Sequence, residues 1–414
     1  MGRIVAFVLI SGLLILIDLY VFQAVKSSIS GLSEAWRRSI SIFFWSITLA
    51  SILGITYVSN FDNVPRDART FIFTGVFIIY VSKVFGVLTL LIDDIFRAGQ
   101  WAFYKFFPSK LPDSTAEDGI SRSDFISKAA LAAVAVPMVT FGFGIASGAH
   151  NYRLRKRTVY LPSLPKQFDG ITVGQLSDIH SGSFFSRSGV QKGIDLFMSE
   201  KPDVVFFTGD LINNLASEVS EYKDLFAKVR APLGVFSTLG NHDYGDYHNW
   251  ATIDQKQQNL ASLVRVHKEM GWDLLMNENR TLRVDGEEIA VIGIENWGAG
   301  RFSKYGDLAK AYKGAEDKAV KLLLSHDPSH WDAEVRPKYA DIDMTFSGHT
   351  HGFQFGVEIG DFKWSPSQYI YKQWADLHQE GNQYLYVNRG FGFLGYPGRI
   401  GILPEVTIIE LKSA

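Results

Sequence analysis

The chain has 414 residues and a formal net charge of −2, from 41 Lys and Arg against 43 Asp and Glu. That balance supplies no global positive field for nucleic acid, and no nucleic-acid partner is expected. Cysteine is absent, which excludes disulfides and thiolate metal sites and leaves the redox compartment open. The length suggests two or more structural units, and hydropathy divides the chain unevenly, with a very apolar first third.

Ile4–Val25 is apolar except for Asp18 and Gln23. At about 1.5 Å per residue it is long enough to cross a hydrocarbon core of about 30 Å. Ile40–Val58, Phe71–Leu91 and Ala129–Ala149 are three further candidates, so residues 1–150 are expected to form a membrane domain of four helices and 151–414 a separate globular domain. Asp18 and Lys83 are costly in lipid. The first and third spans run in the same direction and put the two residues at similar depth, which predicts an ion pair inside the bundle. The alternative is a snorkelling Lys83 and a protonated Asp18.

Between the third and fourth spans, Phe96–Lys110 mixes Trp101, Phe103, Tyr104, Phe106 and Phe107 with basic residues, a composition suited to a helix lying in the interface. Pro112–Gly119 reads as a polar loop. Ser121–Lys128 is similar to a twin-arginine export signal with Ser123 in place of the second arginine. Basic residues divide evenly between the two sides of the spans. The signal-like stretch, and the lower weight of charges in front of a long translocated domain, favour a globular domain outside the cytoplasm.

From Thr158 onward short apolar runs alternate with helical patterns. Helices are expected at Ser188–Ser199, Glu218–Val229, Ile253–Met270 and Lys304–Tyr312. Thr281–Val284 and Glu288–Ile294 read as a hairpin around Asp285-Gly286, and Tyr384–Val387 and Val406–Leu411 as closing strands. Strands separated by helices in this way predict an α/β fold with sheets covered by helices.

Five of the apolar runs end in chemistry-bearing residues. Ile171–Leu176 precedes Asp178-Ile179-His180, and Val204–Phe207 precedes Gly209-Asp210. Gly234–Thr238 precedes Gly240-Asn241-His242-Asp243, Leu322–Leu324 precedes Ser325-His326-Asp327, and Met344–Phe346 precedes Gly348-His349-Thr350-His351. Polar residues at the carboxyl ends of buried strands share one rim, where open α/β sheets hold their sites. A histidine on its own is usually a satisfied core residue, but five motifs at five strand ends are not explained that way. Gly209, Gly240 and Gly348 are expected to let the backbone turn sharply before each ligand. Asp178, His180, Asp210, Asn241, His326, His349 and His351 are the hard oxygen and imidazole donors that two divalent ions about 3.5–4 Å apart require.

Asp-x-His, Gly-Asp, Gly-Asn-His-Asp, His and Gly-His-x-His, in this order, resemble the calcineurin-like metallophosphoesterases over roughly Val173 to Leu411. Ser325-His326-Asp327-Pro328 and Asn388-Arg389-Gly390 look like the membrane-associated bacterial branch, the YaeI/YkuE-like phosphoesterases. The resemblance implies a four-layer α/β/β/α sandwich behind the transmembrane bundle. It implies that Asp178, His180, Asp210 and His351 hold one ion and Asp210, Asn241, His326 and His349 the other, with Asp210 bridging. The donor set suits Mn, Fe, Zn or Ni. His242 is then the group that protonates or stabilises the leaving oxygen, and the reaction an in-line attack on phosphorus by a metal-held hydroxide. Asp243 follows where the family carries an acidic residue.

Arg389 and Arg399 are expected to reach the substrate phosphate, the alternative being pairing with carboxylates. His248, Trp250, Trp364, Tyr369, Tyr371 and Trp374 are candidate rim residues. His150, His267, His330 and His378 lack motif context and read as structural or exposed. The expected partners are a phosphorylated small-molecule or lipid substrate and the membrane. The competing functions are a non-enzymatic scaffold on the same fold and a small transporter or sensor.

Overall fold

The computed structural model describes residues 2–61, 64–106, 122–300 and 302–414. It divides into two compact units, Met1–Phe143 and Gly144–Ala414.

The first unit is helical: Gly2–Ser28, Glu34–Asn60, Arg66–Phe106 and Arg122–Phe143. All four are long and apolar enough to cross a membrane, the last continuing to Gly148. Gly86 allows the third helix to approach the fourth closely, since a methyl group there would press on Val134. The Asp18–Lys83 pair forms as expected: both residues are buried, and Thr48 and Tyr80 each donate to the other carboxylate oxygen at 2.7 Å. A separate interfacial helix from Phe96 does not form. The third helix runs unbroken to Phe106, and at 41 residues it spans about 60 Å, twice a hydrocarbon core. The end of that aromatic stretch, at 107–110, and the loop Pro112–Gly119 lie outside the described residues, as does Ser121.

The second unit stacks two six-stranded sheets. One runs in the order Arg153–Leu161, Glu405–Ser413, Thr172–Leu176, Val204–Thr208, Val235–Thr238, Asp273–Leu274, and is parallel except where Glu405–Ser413 meets Thr172–Leu176. The other runs Asp376–Glu380, Gln383–Val387, Met344–Ser347, Lys321–Leu324, Glu287–Gly293, Glu278–Val284, with a parallel centre and an antiparallel hairpin at each edge. Their facing surfaces close a core in which Phe206 of one sheet meets Phe346 of the other edge to face at 4.9 Å. The helices Arg187–Ser199 and Ile253–Met270 cover the first sheet through Val190, Ile194, Phe197 and Leu263. Trp331, Val335 and Leu308 cover the second. The result is the expected four-layer α/β/β/α sandwich.

Local expectations differ at two places. Glu218–Val229 is broken into the short turns Ala216–Val219 and Lys223–Phe226, because the Glu218 carboxylate reaches back to the backbone N–H groups of Asn213 and Leu215. The helix expected from Lys304 begins only at Leu308, where Asp307 caps it by accepting from Lys310 N at 2.9 Å.

Candidate metal centre

The parallel strands Thr172–Leu176, Val204–Thr208 and Val235–Thr238 end on one rim, and Lys321–Leu324 and Met344–Ser347 end beside them. The two rims are tied together where His326 Nδ1 lies 2.7 Å from the Thr208 carbonyl and Gln175 Nε2 donates to the Ser347 carbonyl at 2.9 Å. Six of the predicted donors gather there as two triads. Asp178, His180 and His351 form one and Asp210, His326 and His349 the other, the ligand atoms of each lying within 4.8 Å of one another. Asp210 lies between them. Its Oδ2 is 3.5 Å from His180 Nε2 in the first triad and 3.2 Å from His326 Nε2 in the second.

The backbone is strained where these side chains converge. Asp178, His180, Asp210, His349 and His351 all have positive φ, between 48° and 72°, a region that costs a non-glycine residue of order 1–3 kcal/mol. Of the three glycines, only Gly209 has positive φ, at 95°. Gly240 and Gly348 serve by size: a methyl group at Gly240 would collide with the Asp210 carboxylate, and one at Gly348 with Ser177 and Asp178.

Hydrogen bonds fix which nitrogen each imidazole presents. A carbonyl only accepts, so His326 Nδ1 carries the proton toward Thr208 and leaves Nε2 facing Asp210. His180 Nε2 faces His351 Nε2 at 3.0 Å, and His326 Nε2 faces His349 Nδ1 at 3.2 Å. Asn241 donates its amide to Tyr247 Oη at 2.9 Å, while its Oδ1 is buried with no hydrogen-bond partner. Opposed ring nitrogens, buried carboxylates and an orphaned amide oxygen are the surroundings of a cation. The donor set therefore fits a divalent metal pair.

Electrostatics agree. Burial alone would raise Asp178 and Asp210, yet the imidazoles around them, His351 and His326 foremost, hold both carboxyls below their ordinary range. Burial pushes His180 down to about 3. It also works against charge on His326, but Asp210 and Asp178 outweigh it and raise that ring to about 10. The centre calls for positive charge.

His242 stands half-buried at the edge of this cluster. Its backbone N–H donates to Asp210 Oδ1 at 2.9 Å, and its Nδ1 lies 2.9 Å from the Asn213 carbonyl. Nδ1 therefore holds its proton, and Nε2 is the nitrogen left for chemistry. Asp243 is a brace beneath the loops. Its carboxylate accepts from the backbone N–H groups of Asp210, Leu211, Ile212 and Gly240 at 2.8–3.2 Å. Burial, and then the charge of Asp210, pushes it up to about 7.

Arg389 and Arg399 are not where a phosphate could meet them. Both are fully buried. Arg389 pairs with Glu405 at 2.6 Å and Glu358 at 2.7 Å. Arg399 donates to the carbonyls of Gly390, Gly392 and His351. The expectation of substrate contact is corrected: these side chains brace the turns that carry the ligands. Among the rim aromatics, Tyr371 Oη lies 2.7 Å from His349 Nε2. Asn213, which contacts both His180 and His242, and Tyr247, whose ring lies 4.6 Å from His242, were not singled out from the sequence. The only signal for either is a place a few residues after a ligand motif. His150, His267, His330 and His378 lie apart from the centre; His267 and His330 are fully buried and hydrogen-bonded to Ser237 and Ser325.

Residues 171–353 match the family model of the calcineurin-like phosphoesterases, and residues 2–149 match one described as a probable calcineurin-like phosphoesterase transmembrane domain. The chain belongs to the calcineurin-like metallophosphoesterases, in a form preceded by four transmembrane helices. It is 29% identical to the uncharacterised metallophosphoesterase YkuE of Bacillus subtilis, over 71% of this chain and 98% of that protein. It is 26% identical to a transmembrane protein with metallophosphoesterase domain of Danio rerio, over 100% of this chain and 90% of that one. It is also 26% identical to the UDP-2,3-diacylglucosamine pyrophosphatase LpxG of Chlamydia trachomatis, over 56% of this chain and 81% of that protein.

Proposed function

We propose that this membrane protein hydrolyses a phosphoester or pyrophosphate bond at a dinuclear centre held by Asp178, His180, Asp210, Asn241, His326, His349 and His351. The observation that carries the reading is the position of Asp210, one buried carboxylate within 3.5 Å of an imidazole in each triad. Two divalent ions bound there would neutralise a phosphate and acidify water. The chain's own contribution is orientation and proton handling. His326 is fixed by Thr208 and His349 by Tyr371, so the rings are pre-set at little entropic cost on binding. His242, with Nδ1 tied to Asn213, offers Nε2 as the donor to a leaving oxygen.

The substrate class we favour is lipid-linked, since four spans hold the enzyme at the bilayer and a relative is named for an acylated sugar nucleotide. We place the catalytic unit outside the cytoplasm, on the signal-like stretch and the weighting of loop charges. The test of activity is hydrolysis of a chromogenic phosphodiester by the purified full-length protein with added manganese, and its loss on chelation. Absence of turnover with every divalent metal tried would end the reading. Orientation is read from a cysteine placed at Ala414, which should be labelled in intact cells. Labelling only after lysis would reverse it.

A further inference from the structure

Resting on that reading, we propose that the segment Phe353–Ile370 is a membrane-docking lip that presents a bilayer-borne phosphoester to the metal centre. The segment leaves the centre at His351 and returns to it at Tyr371, whose hydroxyl meets His349. Among the described residues of the second unit, twelve large apolar side chains are exposed, and seven of them fall in this short stretch. Ile359, Phe362, Tyr369 and Ile370 are 73%, 62%, 75% and 64% exposed, and the other five are spread singly from Tyr160 to Tyr305. A concentration of this kind is not expected of a surface facing water.

The alternation along the lip is the reverse of a water-facing strand. Phe353, Phe355, Val357 and Ile359 point outward, while Gln354 is buried and Glu358 largely so. The inward polar groups are satisfied. Gln354 donates to the Tyr396 carbonyl and accepts from Leu394 N, and Glu358 pairs with Arg389 and Arg155. The apolar row therefore lies on the outer face of the segment and takes no part in the core beneath it.

The bilayer is the occupant because the lip is tied to Gly144–Gly148, the first residues of the second unit, which follow directly in sequence on the apolar helix Arg122–Phe143. The fourth candidate span runs to Gly148. Within the second unit the turn Gly144–Gly148 rests on Arg399 and Ile400: Arg399 N donates to the Gly144 carbonyl at 3.2 Å, and a methyl group at Gly148 would collide with the Arg399 carbonyl. Ile400 in turn bonds the base of the lip in both directions, to Gln354 O at 2.8 Å and from Gly356 N at 2.9 Å. Arg399 and Ile400 therefore join the turn Gly144–Gly148 to the lip. A cavity of about 370 Å³ at the lip's base is lined by Arg153, Arg155, Glu358 and Gly360. Arg153, exposed there, suits an anionic headgroup. Asp361 at the turn limits entry to the interfacial layer, where aromatic side chains are favoured.

The native chain has no cysteine, so single probes can be placed cleanly. The full-length protein is reconstituted in vesicles with an environment-sensitive fluorophore on Ile359→Cys, and separately on Ile253→Cys as the control. The Ile359 probe should be quenched by a nitroxide carried on the lipid near its headgroup, and the Ile253 probe only by an aqueous quencher. Failure of the lipid nitroxide to quench the Ile359 probe would overturn docking, whether the aqueous quencher reaches the probe, as on a bare lip, or does not, as on a lip covered by protein. The second arm compares p-nitrophenyl hexadecyl phosphate in the vesicle with p-nitrophenyl ethyl phosphate in water, which share one scissile bond. Ile359→Ser with Phe362→Ser should lower kcat/KM on the hexadecyl ester about tenfold and leave the ethyl ester within about twofold. Equal effects on both esters would overturn delivery through the lip. If the unaltered protein cleaves neither ester, the phosphoesterase reading fails while the quenching result still decides docking.

Discussion

Two of the buried polar clusters among the described residues are built on opposite principles. In the helical unit, Asp18, Lys83, Thr48 and Tyr80 satisfy one another on regular helical backbone, the carboxylate accepting from an ammonium and two hydroxyls. In the sandwich, five of seven donors sit in left-handed conformation, ring nitrogens oppose each other and an amide oxygen has no partner. The first cluster is complete as it stands and reads as a device for helix register and pairing. The second is completed only by something added, and strain at its ligands is maintained by the sheets beneath. A buried polar group is thus informative chiefly through what its neighbours leave unsatisfied.

The contrast is broken most directly at Asp210. Asp210→Asn removes the charge shared by both triads and should weaken metal retention by at least about 100-fold, with turnover lost alongside. Metal analysis of the purified variant checks this, and full retention would remove Asp210 from its bridging place. Next in size is His242→Ala. Turnover should fall about 10²–10⁴-fold with metal content unchanged, since the ring lies outside both triads, is tied to the Asn213 carbonyl, and only its backbone N–H is hydrogen-bonded to Asp210. Equal loss of metal would make His242 a ligand and not a proton donor.

How much of this could be read from the chain alone follows from the same contrast. The convergence of Asp178, His180, Asp210, His326, His349 and His351 was legible because each closely follows an apolar strand, so local pattern and local chemistry coincide. The Asp18–Lys83 pair was legible because a charge in a span needs a partner at its own depth. Arg389 and Arg399 were misread because their roles depend on Glu405, Glu358 and carbonyls that only the tertiary fold brings near. The edge strand Arg153–Leu161 was hidden by its charges, since alternating Arg and Lys on an edge leave no apolar run to find. Tyr371 stood out only as an aromatic, and its hydrogen bond to His349 has no sequence signature.

The helical cluster makes a prediction of intermediate size. Lys83→Met leaves the Asp18 carboxylate buried without its ion partner, at a cost of about 3–5 kcal/mol. Unfolding in mild detergent should show most of that loss, and Asp18→Asn in the same chain should recover much of it. Metal content and hydrolysis of a water-soluble diester should not change in the protein that remains folded. Loss of metal in Lys83→Met would mean the two clusters are not independent.

The smallest effect tests whether an unpartnered buried nitrogen is enough to mark a site. His267 Nε2 is as orphaned as Asn241 Oδ1, but Phe207 and Trp272 surround it in place of other donors, and its Nδ1 meets Ser237 Oγ at 3.0 Å. Burial pushes its pKa down to about 3, against about 6.5 for an exposed imidazole. The folded ring stays neutral while the unfolded one takes a proton below pH 6.5. The stability it allows is therefore complete above pH 6.5 and is lost as pH falls from there toward 3, at up to about 1.4 kcal/mol per pH unit. His267→Gln keeps a partner for Ser237 and cannot titrate in this range. Relative to the unaltered chain it should gain about 1.4 kcal/mol between pH 7.5 and 5.5, read from urea unfolding at each pH. Metal content and turnover should be unchanged, as expected of a nitrogen that faces aromatic rings and not a cation. A constant difference at the two pH values would mean that the ring takes up no proton on unfolding.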